Sequence, residues 1–195
     1  MSSIRNRNLF LLLCAAAVVF IAISVLLQLP ANYERAGFIF EDAVSYREAG
    51  RALYKESFSA HPVRTFGYPL LIGIPYLFGA ATDAAILQFS VVINILAWLG
   101  SVLLMYLIAS KLTTSKYAIA AAGLFICTST NIPMLYQSMT ETVFIFTILA
   151  FLYYLLRYLY ENSSGALLTA LFFICFSVTV RPISLYFSVA VFLFS

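Results

Sequence analysis

The uncharged stretch AAILQFSVVINILAWLGSVLLMYLIA, residues 84–109, decides the fold class of this chain. As a helix rising about 1.5 Å per residue, it is longer than the roughly 30 Å of hydrocarbon in a bilayer. Its apolar residues form a continuous run and do not alternate with polar ones as in a membrane β-barrel strand. The stretch therefore predicts a transmembrane helix.

The composition of the whole chain supports the same class. Of its 195 residues, 63% are hydrophobic and 10% are charged, whereas a soluble globular domain carries about 25% charged residues. No water-soluble fold of this size could bury so much apolar surface, so we predict an all-α, polytopic transmembrane helix bundle. The net charge of +3 is small and forms no basic stripe. We therefore expect the lipid bilayer, and not nucleic acid, as a partner.

Apolar runs divide the chain into about five full spans. The predicted spans are Leu9 to Leu29, Ala84 to Ala109, Tyr117 to about Asn131, Thr142 to Tyr160 and Ala166 to Val180. The last run, Ile183 to Ser195, is too short to cross a membrane. It predicts either a longer protein that continues past Ser195, which we favour, or a re-entrant stub. Residues 1–195 are accordingly interpreted as the N-terminal part of a transmembrane domain.

Residues 30–83 form the predicted first extracytoplasmic loop, which holds much of the charge. Within it, the segment Phe66 to Gly79 is apolar but interrupted by glycine and proline, which predicts a helix lying at the membrane interface. Earlier in the loop, one amphipathic helix face is predicted by the i, i+4, i+7, i+11 spacing of Asp42, Tyr46, Ala49 and Leu53.

Charge near the short loops predicts the orientation of the bundle. With a cytoplasmic N-terminus, the positive-inside rule is satisfied by Arg5, Arg7, Lys111, Lys116 and Arg157. Most acidic residues, including Asp42 and Glu141, then lie outside. We expect an integral protein of the cytoplasmic (inner) membrane.

Asp42 and Glu141 stand beside the ends of apolar runs on the same predicted side, where an unused carboxylate is costly. Asp42 lies in the first turn of its helix, so one explanation is a favourable interaction with the helix dipole. The other explanation is that Asp42 acts as a general base and takes a proton from the hydroxyl or amine of an acceptor substrate, to which a group is transferred. Glu141 opens the fourth span, where it either caps the helix together with Thr140 or points into a cavity to hold a metal or the acceptor.

Three basic residues complete the candidates. Arg64 precedes the interfacial helix, where it could contact a lipid phosphate or extend to the interface as a snorkelling side chain. Arg181 lies between two apolar runs, where a charge needs a partner. We predict that it binds either the phosphate group of a lipid-linked donor substrate or a carboxylate such as that of Glu141. His61, beside Pro62, is a weak candidate for metal binding, because a lone loop histidine is more often structural or solvated. Glu141 is the other weak candidate, so the sequence leaves open whether a divalent metal is a cofactor.

Four motifs follow one another along the chain: the Asp42, Tyr46, Ala49, Leu53 face, Gly67-Tyr68-Pro69-Leu70-Leu71 through Phe78-Gly79, Thr140-Glu141 and Arg181-Pro182. Their order resembles that in the N-terminal part of a GT-C-fold membrane glycosyltransferase, of the protein O-mannosyltransferase and aminoarabinose-transferase type. The resemblance implies an enzyme that moves a sugar, with inversion, from a polyprenyl-phosphate donor to an acceptor on the extracytoplasmic face. The family's general base corresponds to Asp42, and we assign Tyr46, Arg64, Tyr68, Glu141 and Arg181 to substrate binding.

The chain also departs from the family pattern. Glu41 precedes Asp42, whereas the family often has its second acidic residue after the aspartate. Phe66 stands where the family often has proline. The family's further spans and its outer domain are not within these 195 residues.

Two other functions are compatible with the sequence. A transporter or flippase-like protein for lipid-linked sugars also needs polar groups in a bundle, but is usually marked by paired repeats with broken helices, and no repeat is visible. A non-catalytic membrane protein, including a truncated product, could bind a partner through small-residue faces such as residues 120–123.

Overall fold

The computed structural model describes residues 41–55, 64–79, 82–127 and 135–183, together with the isolated positions 11, 15, 18, 19 and 22. The regular elements in these residues are all helical, with no strand among them, so the predicted all-α class is confirmed for this part of the chain. The predicted first span, His61 and the run after Ile183 lie outside it, wholly or for the most part. The helices are α1 (Glu41–Lys55), α2 (Gly67–Ile72), a 3₁₀ helix (Ile74–Phe78), α3 (Asp83–Leu112), α4 (Ser115–Cys127), α5 (Glu141–Glu161) and α6 (Ser164–Val180).

Two of these helices, α3 and α5, are long and apolar enough to cross a membrane by length and composition. They have 30 and 21 residues, or about 45 Å and 32 Å, against a hydrocarbon core of about 30 Å. Helices α4 and α6 are apolar but shorter, with 13 and 17 residues. Two of the predicted spans therefore have counterparts of membrane-crossing length, whereas a bundle of five full spans is not established by the described residues.

Local sequence explains where the long helices begin and end. The Thr82 hydroxyl accepts a hydrogen bond from the Ala85 amide at 3.3 Å and caps α3. Helix α5 ends at Asn162, which adopts a left-handed conformation with φ of 49°, as asparagine does readily at helix C-termini. Ser163 then caps α6 by accepting from the Ala166 amide at 3.4 Å. The Asn162-Ser163-Ser164 segment is thus a tight turn between two antiparallel helices.

Ion pairs at both ends of the bundle fix the helix directions. Lys111, in the last turn of α3, lies 3.1 Å from Glu161 at the end of α5, and Arg157 lies 2.7 Å from the same carboxylate. Helices α3 and α5 therefore run in the same direction. At the opposite end, Arg181 directly after α6 pairs with Glu141 at the start of α5. One end of the bundle therefore holds Lys111, Arg157 and Glu161, and the opposite end carries the candidate site.

The loop helices pack at this second end. Tyr46, Ala49 and Leu53 form the buried face of α1, as the spacing predicts, but the Asp42 side chain is 51% exposed at the helix start. The predicted face is therefore buried at Tyr46, Ala49 and Leu53 and open to solvent at Asp42. Asp42 lies in the first turn of α1, where its carboxylate can reach Arg64, in the segment directly before α2.

The predicted interfacial helix from Phe66 to Gly79 is present as two short pieces, α2 and the 3₁₀ helix. Gly73 separates them, and Pro75, which has no amide hydrogen to donate, occupies the first turn of the 3₁₀ helix. Gly79 ends the segment with φ of 78°, a conformation that glycine adopts without strain. The breaks follow from the glycine and proline positions that interrupt the sequence.

Gly67 allows α2 to lie directly against the end of α6, which predicts a strong effect of Gly67→Ala. An added Cβ would lie 2.3 Å from Thr179 Oγ1 and 2.7 Å from the Thr179 carbonyl carbon, so the backbones must separate. We expect the variant to lose about 1–3 kcal/mol of stability, measured as thermal unfolding in detergent micelles. The matched control is Gly123→Ala in α4, where no atom of the described residues lies within 4 Å of the added Cβ and the higher helix propensity of alanine should stabilise slightly. Equal stability of both variants would contradict this close contact.

Candidate functional site

Arg64 links the start of α2 to the first turn of α1. Its guanidinium forms an ion pair with Asp42 through Nη2 and Oδ1. Its Nε donates to Ser45 Oγ at 2.8 Å, and its Cζ lies 4.7 Å from the centroid of the Tyr46 ring. The Arg64 side chain is only 18% exposed, whereas Asp42 remains open to solvent on one side. Arg64 is therefore held by an aromatic face, a hydroxyl and a carboxylate, and does not snorkel freely.

The charge of Arg64 is secure in this environment. Burial alone lowers the pKa of the guanidinium, but the hydrogen bond and the negative charge of Asp42 outweigh it, and the pKa is raised. Arg64 is therefore a permanent cation at any pH at which the protein is folded.

Arg181 is held in the same way by the start of α5. Its Nη2 donates to Glu141 Oε1 at 2.5 Å, and its Nε donates to Thr140 Oγ1 at 3.0 Å. The guanidinium also lies 5.9 Å from the ring centroid of Phe144. The carboxylate partner predicted for Arg181 is confirmed by this contact, while a phosphate contact stays a prediction. Glu141, the first residue of α5, and Thr140, directly before it, thus set the orientation of the guanidinium.

Thr140 does not cap α5 in the way that its position suggests. Its side chain makes no capping hydrogen bond to the helix, since Thr140 has helical backbone angles (φ −76°, ψ −20°) in place of the extended ones of a capping residue, and its hydroxyl accepts from Arg181. Glu141 retains the favourable position for an acidic residue in the first turn, but one of its oxygens is used by Arg181. The other, Oε2, is buried and has no hydrogen-bond partner among the described residues. The capping explanation is therefore wrong for Thr140 and incomplete for Glu141.

The two arginines meet at one cavity of about 380 Å³. Tyr46 and Arg64 line it from the loop side, and Arg181 lines it from the end of α6. Guanidinium groups bind phosphate and carboxylate oxygens well because they offer several N–H donors in one plane. The cavity therefore combines two cations with an apolar wall, and its full lining is Tyr46, Arg64, Thr65, Val180, Arg181, Pro182 and Ile183.

Tyr68, predicted to bind substrate, does not line this cavity. It is completely buried behind Tyr46, with the two rings edge to face at a centroid distance of 5.5 Å. Burial raises the pKa of Tyr68, although the hydrogen bond with Asn94 opposes this effect. The assignment of Tyr68 to direct substrate contact is therefore corrected: a neutral, buried tyrosine supports the wall that Tyr46 presents.

A buried polar network under this wall was not anticipated from the sequence. The Tyr68 hydroxyl donates to Asn94 Oδ1 at 3.1 Å, and Asn94 Nδ2 donates to the Gln137 carbonyl at 2.7 Å. Nearby, the hydroxyls of Ser90 and Ser138 lie 2.8 Å apart. The available signal was Asn94 itself, because a strongly polar side chain inside an apolar span usually has a partner on another segment.

The described residues contain no group of three or more His, Cys, Asp and Glu side chains that could hold a metal ion. Glu141, one predicted candidate, is engaged by Arg181. His61, the other, lies outside the described part of the chain. A divalent metal cofactor therefore stays a prediction without a ligand set.

Comparison of the chain with protein-family models, with curated proteins and with solved structures gives no significant match. The resemblance to GT-C-fold enzymes accordingly depends on the sequence motifs. The function is therefore inferred from the geometry of the cavity and of the ion pairs around it.

Proposed function

We propose that this chain belongs to a membrane glycosyltransferase that moves a sugar from a polyprenyl-phosphate donor to an acceptor on the extracytoplasmic face. The observation that carries the proposal is the cavity lined by Arg64 and Arg181, together with the carboxylate of Asp42, which is outside the lining but forms an ion pair with Arg64. A donor phosphate needs cationic N–H groups, and an attacking acceptor needs a base nearby. The site offers both chemical groups within one small region.

The lining of the cavity fits the two halves of such a donor. The phosphate would be held between Arg64 and Arg181 by charge-assisted hydrogen bonds. The apolar residues Val180, Pro182 and Ile183 would contact the first isoprene units of the lipid chain. The lipid-linked substrate class is thus supported by an anion site with an apolar side.

Asp42 is the proposed general base. When the donor phosphate binds Arg64, it competes with the Asp42 carboxylate for the same guanidinium and leaves an oxygen of Asp42 available. The acceptor's O–H or N–H proton then passes to Asp42 as its oxygen or nitrogen attacks the anomeric carbon. The bond between that carbon and the phosphate oxygen breaks, and polyprenyl phosphate leaves with the electron pair. Attack from the face opposite the phosphate inverts the centre.

Positioning and charge neutralisation should supply most of the rate, since phosphate is already a good leaving group. Tyr46 would keep Arg64 in place through the face of its ring. Glu141 and Thr140 would do the same for Arg181 through their hydrogen bonds. Each cation of the site therefore has its own support.

The proposed orientation has the cavity end outside and a cytoplasmic N-terminus in the inner membrane. It is supported by Lys111, Lys116 and Arg157, which lie in or beside the short loops at the opposite end and which the positive-inside rule assigns to the cytoplasm, whereas basic residues of a long loop count for little in that rule.

This orientation predicts opposite labelling of two engineered cysteines. In a chain with Cys14, Cys127 and Cys175 replaced by alanine, Glu48→Cys should react with an impermeant maleimide added to intact cells. Lys116→Cys should react only after the membrane is permeabilised. Both positions are exposed in the folded chain, so accessibility within the fold does not limit the reaction. The reverse pattern would overturn the proposed orientation.

The function itself is tested by incubating purified protein with a panel of polyprenyl-phosphate sugars, an acceptor extract and mass detection. We expect one donor to be consumed, with release of polyprenyl phosphate and a matching mass gain on an acceptor. Binding of a donor without consumption would favour the second candidate, a transporter or non-catalytic protein of lipid-linked sugar metabolism. That candidate is supported by the Asp42–Arg64 pair, which could serve a purely binding role.

A further inference from the structure

One hydrogen bond joins the two segments that carry the arginines of the cavity. The Thr65 hydroxyl donates to the carbonyl oxygen of Val180 at 2.9 Å. Thr65 directly follows Arg64, and Val180 directly precedes Arg181. The bond therefore connects the backbone next to one guanidinium with the backbone next to the other.

The bond also has an ordinary structural effect, since Val180 is the last residue of α6. The final carbonyls of a helix lack partners within the helix, and the Thr65 hydroxyl satisfies one of them. A capping role alone, however, does not require a donor from a segment 115 residues away. The close approach of Gly67 to Thr179 shows that the whole start of α2 is docked against this helix end.

The remaining contacts of the two arginines hold each of them to a different element. Arg64 is bonded to Asp42 and Ser45 on α1, whereas Arg181 is bonded to Thr140 and Glu141 at the start of α5. These contacts orient each guanidinium but do not fix the distance between the two. Among the described residues, the hydrogen bond from the Thr65 hydroxyl to the Val180 carbonyl oxygen joins the segment that carries Arg64 to the segment that carries Arg181.

We propose that Thr65 is a positioning residue that sets the spacing of Arg64 and Arg181 so that both guanidinium groups bind one phosphate group. The inference rests on the proposed function, because it assumes a lipid phosphate in the cavity. Losing the tether would let the two cations separate, which should harm binding of a monophosphate more than of a longer diphosphate. Thr65 itself need not contact the ligand.

The test compares Thr65→Val, which keeps the shape but removes the hydroxyl, with Thr65→Ser, which keeps the hydroxyl. The dissociation constants of a short-chain polyprenyl phosphate and of the corresponding diphosphate are measured by calorimetry in detergent micelles. Loss of one such hydrogen bond corresponds to a change of about two- to tenfold. We expect Thr65→Val to weaken monophosphate binding by that factor. The ratio of the monophosphate dissociation constant to the diphosphate dissociation constant should therefore rise. Thr65→Ser should retain wild-type values.

Thermal unfolding of each variant separates positioning from capping. If Thr65→Val lowers the unfolding temperature but leaves both dissociation constants unchanged, Thr65 only caps α6 and the inference is overturned. Thr65→Ala, measured alongside, provides the same comparison if the valine variant does not fold. Wild-type protein that binds neither ligand would contradict the proposed function as well, so the two failures are distinguishable.

Discussion

Sugar transfer is expected to fall at least about 100-fold in Asp42→Asn, with no loss of folded protein in the membrane. A positioned general base contributes about 10²- to 10⁴-fold, and asparagine cannot take up the acceptor's proton. Its side-chain oxygen can still accept the hydrogen bond from Arg64, so the loop keeps its main contact. The measurement is the initial rate of polyprenyl-phosphate release, compared at equal amounts of protein.

Glu41→Gln is the matched control for this variant. Glu41 is the adjacent acidic residue, is equally exposed in the first turn of α1 and has the same local relation to the helix dipole. It should retain near wild-type turnover, which would show that charge at the helix start is not what matters. Normal turnover by Asp42→Asn would remove Asp42 as the base.

Arg181→Gln is expected to weaken both the donor site and the fold. A charge-assisted contact to phosphate is worth about 1.5–3 kcal/mol, so donor affinity should fall about 10- to 100-fold. The substitution also leaves the Glu141 carboxylate, 24% exposed, without its cation. Because Arg181 is 36% exposed, solvent screens the pair, and we expect a stability loss of about 1–2 kcal/mol.

A second substitution separates these two effects. In the double variant Arg181→Gln with Glu141→Gln, no unpaired carboxylate remains, so thermal stability should recover towards the wild-type value. Donor affinity should stay low, because the cation is still missing. Recovery of donor binding together with stability would mean that Arg181 serves the fold alone.

The sequence predicts the helical class well because a long uncharged run has few alternatives to a helix, in which its backbone hydrogen bonds are satisfied within the segment. The boundaries of α3 and α5 lie within a few residues of the predicted spans, since Thr82, Asn162 and Ser163 provide ordinary helix-end signals. Helix α6 likewise begins two residues before its predicted span and ends with it at Val180, whereas the predicted end of the third span near Asn131 lies outside the described residues. Hydropathy does not reveal how a helix end is used by neighbouring residues, such as the hydrogen bond from the Thr65 hydroxyl to the carbonyl oxygen of Val180 at the end of α6.

The ion pairs show where sequence analysis reaches its limit in the site. Arg181 and Glu141 could be predicted as partners because each is a lone charge at the end of an apolar run. The pairing of Asp42 with Arg64 could not, because they are 22 positions apart in the sequence and no periodicity relates their two segments. Tyr68 is a similar case: its motif indicates importance, but only packing shows that it lies behind Tyr46.

The most direct test of a lipid phosphate between Arg64 and Arg181 is photo-crosslinking with a polyprenyl phosphate that carries a diazirine next to the phosphate. After irradiation and digestion, we predict adducts on Tyr46, Thr65 or residues 180–183, and we expect excess unlabelled polyprenyl phosphate to abolish them. Adducts confined to exposed apolar side chains such as Leu168 and Phe172, unaffected by competitor, would contradict the proposed site.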